Sequence, residues 1–208
     1  MSGIIAQNTL DNSGLIKAPA GGGAWTFIKK LTASGSSSLT FADGTSDVIL
    51  DSTYKEYVFY FVNIHPATQA TELQFQVNAS AGSGFNETMT TNLIQTYNYE
   101  DSSYTSLNYR NSHDQGQGTA YQSISDDITD DADGSCSGYL HLFEPSSSVF
   151  VKHFISRVHT LGHDTTKFAD TKFCAGYINT TTAIDEIDFK MSSGNIDAGS
   201  IFLHGLTI

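Results

Sequence analysis

Four groups of residues have the types and spacing that do chemistry. The first is acidic. Asp126-Asp127-Ile128-Thr129-Asp130-Asp131-Ala132-Asp133-Gly134 has the carboxylate density of a calcium loop. An EF-hand places oxygen ligands at positions 1, 3, 5 and 12, with glycine at 6. With Gly134 as that glycine, Thr129, Asp131 and Asp133 take the first three positions, and the last falls on Leu140, which has no oxygen to offer. The EF-hand reading fails. A looser site on a β-loop would use Asp131 and Asp133, and a solvated acidic loop is the plainer reading.

The second group, Gly134-Ser135-Cys136-Ser137-Gly138, has the spacing of a nucleophile elbow with cysteine in place of serine. An elbow works by holding its nucleophile on a tight strand-to-helix turn. Here Tyr139-Leu140-His141-Leu142-Phe143 follows, which reads as a strand, so the glycines are better explained as a turn into that strand. The third group is histidine. His141 and His153 would face each other if a hairpin closed around Ser147, and His159 and His163 lie near the next turn. A zinc site needs three or four such ligands; buried strand or contact histidines are the simpler reading. The fourth group is aromatic: Tyr97, Tyr99, Tyr104, Tyr109 and Tyr121 sit among Asn, Ser and Gln. Aromatics in that setting suit protein contacts or stacking on sugars, or fill a core.

No P-loop, HExxH, CxxC pair or dinucleotide fingerprint occurs in the sequence. Asp185 and Glu186 are adjacent and point to opposite faces of a strand, so they cannot act jointly as acid and base. A polysaccharide hydrolase would have to assemble its carboxylate pair from distant strands. No catalytic, cofactor-binding or metal-ligating residue is assigned, and the reading is non-enzymatic.

The elements that position these groups are strands. Leu73, Phe75 and Val77 alternate with Gln74, Gln76 and Asn78, the period of a strand with one face in a core and one in water. Tyr57 to Val62 is apolar on both faces and reads as a central strand covered on both sides. Further units fall at 25–31, 38–41, 48–50, 71–79, 91–99, 104–109, 120–124, 138–143, 149–159, 168–179, 184–191 and 199–206, with either 91–99 or 104–109 open to being a short helix. Residues 110–118 and 125–134 read as loops. No window holds a helical stripe. Short strands with turns every few residues predict an all-β antiparallel β-sandwich, jelly-roll-like, over residues 25–208. Residues 1–24 end in Pro19-Ala20-Gly21-Gly22-Gly23 and read as an extended N-terminal arm.

Composition narrows the partners. Ten Lys and Arg against 22 Asp and Glu give a formal charge of −12. Phosphate backbones and anionic membranes repel such a chain, so nucleic acid and membrane are set aside. The N-terminus has neither the basic nor the apolar region of a signal peptide, and the sequons at Asn78, Asn86 and Asn179 are expected to be chance. Cys136 and Cys174 do not make a disulfide framework, although a single bridge between them stays open.

Three segments together resemble virion structural proteins of tailed bacteriophages of the marine and cyanophage type. One is Glu56 to Thr68 with Glu72 to Val77. Another is Gly82-Ser83-Gly84-Phe85 leading to Tyr97-Asn98-Tyr99. The last is Gly199-Ser200-Ile201-Phe202-Leu203-His204-Gly205, with His204 where that group more often has tyrosine. The resemblance implies a virion component with a jelly-roll-like domain, often a homotrimer, assembled in the host cytoplasm. It carries no catalytic residues. Capsid decoration is the favoured role: trimers would bridge neighbouring subunits of the major capsid protein, with the arm lying over them. The alternative is a carbohydrate- or receptor-binding module of a fibre or tail.

Overall fold

Strand periodicity becomes a double-layered antiparallel structure in the computed structural model, which describes residues 24–206. The predicted arm, apart from Ala24, lies outside the described residues. Among those described there are thirteen strands and no helix: β1 (Trp25–Thr32), β2 (Leu39–Ala42), β3 (Glu56–Pro66), β4 (Leu73–Ala79), β5 (Met89–Tyr99), β6 (Thr105–Tyr109), β7 (Gly116–Gly118), β8 (Gln122–Ser123), β9 (Cys136–Phe143), β10 (Lys152–Gly162), β11 (Phe168–Ile178), β12 (Ile184–Met191) and β13 (Ile196–Leu206). The segments 91–99 and 104–109 are both strands.

The first four strands pair with later ones in reverse order: β1 with β13, β2 with β12, β3 with β9, and β4 with β8, all antiparallel. These pairs fall alternately into two sheets. The large sheet runs β1-β13-β3-β9-β10-β11-β5-β6, with β7 also on β5, and the small sheet runs β2-β12-β4-β8. The chain ends of the described structure meet in the first pair, where Trp25 lies opposite Leu206.

The core forms where the two sheets face each other. Phe189 of β12 lies at its centre, with ring centroids 5.3 Å from Phe61, 5.4 Å from Phe59, and 6.3 Å from Phe41 and Phe75. Two of these contacts are edge-to-face and two are tilted, and ring pairs of this kind add to the burial of the rings themselves. Leu73, Phe75 and Val77 point into this layer as their alternation predicts.

Three details depart from the sequence reading. Residues 48–50 are not a strand; Val48 and Leu50 are buried in a looped segment held by Gly44 N–H to Val48 O and by Leu50 N–H to Asp43 Oδ1. Gln76, on the supposed water face of β4, is fully buried. Its Nε2 donates to the carbonyls of Glu87, Thr119 and Ala120, at 3.0, 3.2 and 3.0 Å, because the chain around 119–120 folds over that face. On the second face of β3, Val58 is buried and Tyr60 is half-buried, but Val62 is exposed. That face is only partly covered.

Phe189→Ala should lower stability by about 3–5 kcal/mol, the usual loss for a buried aromatic. Urea denaturation followed by circular dichroism should show a lower midpoint with an unchanged slope.

Candidate interaction face and polar cluster

The outer face of the large sheet is built by the residues that alternate with its core positions. Register places them in rows across the strands. One row reads Lys30, Phe202, Tyr60, Tyr139, Arg157, Phe173, Ile94, Tyr109, one residue from each of the eight strands. The adjacent row reads Phe27, His204, Val58, His141, Ile155. Eight of the eleven large exposed apolar side chains belong to this face: Trp25, Phe27, Val62, Ile94, Leu107, Tyr109, Ile155 and Phe173. They gather on one face instead of scattering singly, which makes it the candidate interaction face.

Its electrostatics set this face apart from the rest of an acidic chain. It carries Lys30, Arg157 and the imidazoles of His141, His153, His159 and His204. Glu56 is the carboxylate register places among them, and His141 Nδ1 holds it. The cations lie on rings: Lys30 Nζ is 5.2 Å from the Phe202 centroid and the Arg157 guanidinium 5.1 Å from that of Phe173. Such contacts keep long side chains flat on the sheet.

A second constellation lies inside, where the inner face of β5 and β11 meets β8 and the loops around it. Lys172 is 1% exposed. Its Nζ lies 3.0 Å from Asp126 Oδ2 and 3.1 Å from Asp170 Oδ2. Arg110 Nη2 also reaches Asp126, at 3.1 Å, and Gln95 Nε2 donates to Asp170 at 3.0 Å. Next to them His113 Nε2 donates to Glu72 at 3.2 Å, and Ser123 Oγ donates to the same carboxylate. Burial alone would raise the Glu72 carboxyl; the hydrogen bonds from His113 and Ser123 outweigh it and hold the group down at about 2. At Asp170 burial wins over Lys172 and Gln95, and its carboxyl is raised.

Among the described residues, Glu72, His113 and Asp126 are the one trio of potential metal ligands with atoms within 4.8 Å of one another. The chemistry argues against a cation there. Asp126 is already shared between an ammonium and a guanidinium, and Glu72 between an imidazole and a hydroxyl, so an incoming metal would meet fixed positive charge.

The residues singled out from sequence fall elsewhere. Asp131 is tied to Lys167 Nζ at 2.7 Å, while Asp133 lines an open hollow of about 750 Å³ with Asp130 and Asp197. The two candidate calcium ligands therefore do not converge. Cys136 is 1% exposed, and burial pushes its thiol up to about 12, which removes it as a nucleophile. The flanking glycines have packing reasons: a Cβ on Gly134 would lie 2.4 Å from Thr129 Cγ2, and one on Gly138 2.1 Å from Arg157 O. Cys174 is also buried and free. It sits on β11, with β10 between it and Cys136 on β9; the two lie opposite Ser156 and Thr160 of β10, so two strand spacings across and the offset along the strands separate them by roughly 16 Å, beyond the reach of a disulfide.

The histidines do not form a cluster. His141 lies opposite Ile155, not His153; His153 pairs with Tyr177; His159 bonds Thr171 and His163 bonds Gln69. The tyrosines divide three ways. Tyr109 is on the outer face, Tyr97, Tyr99 and Tyr104 make one cluster, and Tyr121 donates to Asp188 at 2.9 Å beneath Lys190. Sequence reasoning missed Lys172 and Asp170. Their signal was two charged residues in register with Phe168 and Cys174, on the inner side of a strand.

Comparison with family models, with curated proteins and with solved structures finds no match.

Lys172→Met should destabilise the fold by about 3–5 kcal/mol, because it strands two buried carboxylates; urea titration reads this directly. Glu72→Gln tests the acid limb. The Glu72 carboxyl sits below its ordinary 4.5, so its contribution is complete above about pH 4.5 and lost as pH falls toward about 2. The melting-temperature gap between wild type and this variant should close across that window.

Proposed function

We propose that the chain is a structural component of a tailed-phage virion, acting as a capsid decoration protein that assembles as a homotrimer and bridges neighbouring subunits of the major capsid protein. The observation that carries this reading is the aromatic outer face of the large sheet, considered with the resemblance of three segments to virion proteins. The strand order is compatible with its jelly-roll part: β1-β13-β3-β9 runs through one sheet and β2-β12-β4-β8 makes the other, eight strands in two layers with β5, β6, β7, β10 and β11 as additions.

The occupant proposed for the outer face is further copies of this chain. Seven inter-strand steps of about 4.8 Å, by about 20 Å along the strands, give on the order of 700 Å² per copy, near the roughly 800 Å² of a stable interface. A sheet of eight strands also twists by about 20° per strand. Its two halves therefore look in different directions, which one flat partner cannot cover and two neighbours in a closed ring can. Carboxylates lie mainly away from this face, so like-charge repulsion between acidic copies is weakest there.

A second reading has its own observation. Tyr97, Tyr99, Tyr104 and Phe168 form a cluster with ring centroids 5.1–6.3 Å apart, set at one end of the sandwich and off the outer face. That arrangement suits contact with a saccharide or receptor, the role of a fibre or tail module.

Quantitative mass spectrometry of purified particles separates the two. One copy per few capsid subunits is the expected result; a few copies per particle would sink decoration. For assembly, sedimentation of the double variant Ile155→Asp, Phe173→Asp should give monomers with an unchanged far-UV spectrum. Trimers persisting in that variant would remove the outer face as the interface.

A further inference from the structure

Burial along the inner face of β5 changes abruptly. Met89, Thr91, Leu93 and Gln95 are buried, whereas Tyr97 and Tyr99 are only half-buried. The cover supplied by the small sheet and its loops stops there and leaves a cleft of about 120 Å³. One side is aromatic. Tyr99 stacks on Phe168 with centroids 5.1 Å apart and planes 20° from parallel, and Tyr97 leans on the same ring at 5.9 Å. Tyr99 Oη donates to Asp164 at 2.7 Å, which fixes its ring.

The other side is polar and incompletely satisfied. Gln95 is 4% exposed and lines the cleft. Its Nε2 is used by Asp170, while among the described residues its Oε1 has no partner. Arg110 also lines the cleft. One of its terminal nitrogens holds Asp126, while Nε has no partner among the described residues. Asp127 completes this side from a left-handed backbone position, φ 44°, held by His163 N–H to its carbonyl at 2.6 Å. Both atoms are closed off from solvent, so they lie behind the wall of the cleft and leave its hydrogen bonding incomplete.

Charge selects the ligand. Asp126, Asp127 and Asp170 face Arg110 and Lys172, so the site is close to neutral and offers little to a phosphate or a metal ion. It offers an acceptor at Asp127, a donor at Arg110, and flat rings beside them. A hydroxylated ring with polar edges and a C–H face matches all of these at once. The cleft has room for about four waters, the size of one sugar edge and not of a buried oligosaccharide. Tyr104, 52% exposed, extends the aromatic wall beyond it.

We propose that this cleft is a saccharide subsite that takes one neutral pyranose unit, its hydroxyls on the Asp127 carboxylate and the Arg110 guanidinium, its edge against the Gln95 side chain and its apolar face on Tyr97 and Tyr99. The proposal deepens the saccharide-contact reading and is independent of assembly through the outer face.

Saturation-transfer NMR on the full chain, with free glucose, galactose, mannose and N-acetylglucosamine as probes, tests it. The expected result is saturable binding of at least one sugar with Kd on the order of 1 mM, weakened about tenfold by Tyr97→Ala and by Gln95→Met, and unchanged by Tyr109→Ala on the outer face. Binding that survives both cleft variants would overturn the subsite and leave saccharide contact elsewhere on the chain. No saturable signal from any of the four sugars, together with no binding on an array of polymeric glycans, would overturn both.

Discussion

A sheet eight strands wide is packed against one only four strands wide. Most other features follow from that mismatch. The small sheet covers the inner faces of the strands near β3, and there the core is phenylalanine on phenylalanine around Phe189. Farther out, over β11 and β5, the cover is the two-residue β8, whose Gln122 meets Thr91 of β5, together with looped chain. Loops bring unpaired backbone groups with them. The buried residues change accordingly, to Thr91, Gln95, Gln122, Asp170 and Lys172. Gln122 shows how the two fit together: it accepts from Thr91 Oγ1 and donates to the carbonyl of His113. The polar cluster, the aromatic cleft and the dry core are thus three consequences of how far one sheet extends past the other.

On the outer face of the large sheet, none of the described strands forms a second layer. Solvated sheet faces are usually polar between their core positions. Here that alternation holds on β5, with Asn92, Thr96 and Asn98, but it breaks from β9 back to β1, where aromatics and imidazoles fill the outward positions. A stabilising role inside the monomer does not account for rings this exposed. The proposed contact with further copies of the chain would, and the scarcity of carboxylates on this face of a chain of charge −12 is consistent with it.

Strand existence was legible from alternation and turn residues, and the antiparallel two-layer class followed. The side each residue faces was less so. Along β11 the residues Ala169, Thr171, Phe173, Ala175 and Tyr177 make the more apolar set, yet they point outward, and Asp170 and Lys172 point in. Hydrophobic alternation assigns faces by assuming that the core is dry and the surface wet. Both assumptions fail where an ion pair is buried and an apolar face waits for a partner. Gln76 escaped notice for a related reason: its three carbonyl partners come from residues 11 to 44 positions away, and no local pattern encodes them. The short motifs misled in the opposite direction. Gly134 and Gly138 flank Cys136 because neighbouring atoms leave no room for a Cβ, and nothing about their spacing concerns the thiol.

The pairing of the first strand with the last has a mechanical meaning. Trp25 and Leu206 are neighbours on one edge of the large sheet, so a load applied between the two ends acts across a single ladder rung at a time. Antiparallel strands loaded in that way unzip, bond by bond. A load entering through the broad sheet face is instead shared among all eight strands at once. The fold is compliant when pulled by its ends and stiff when pressed on its face, and the direction from which force arrives decides which of the two it meets.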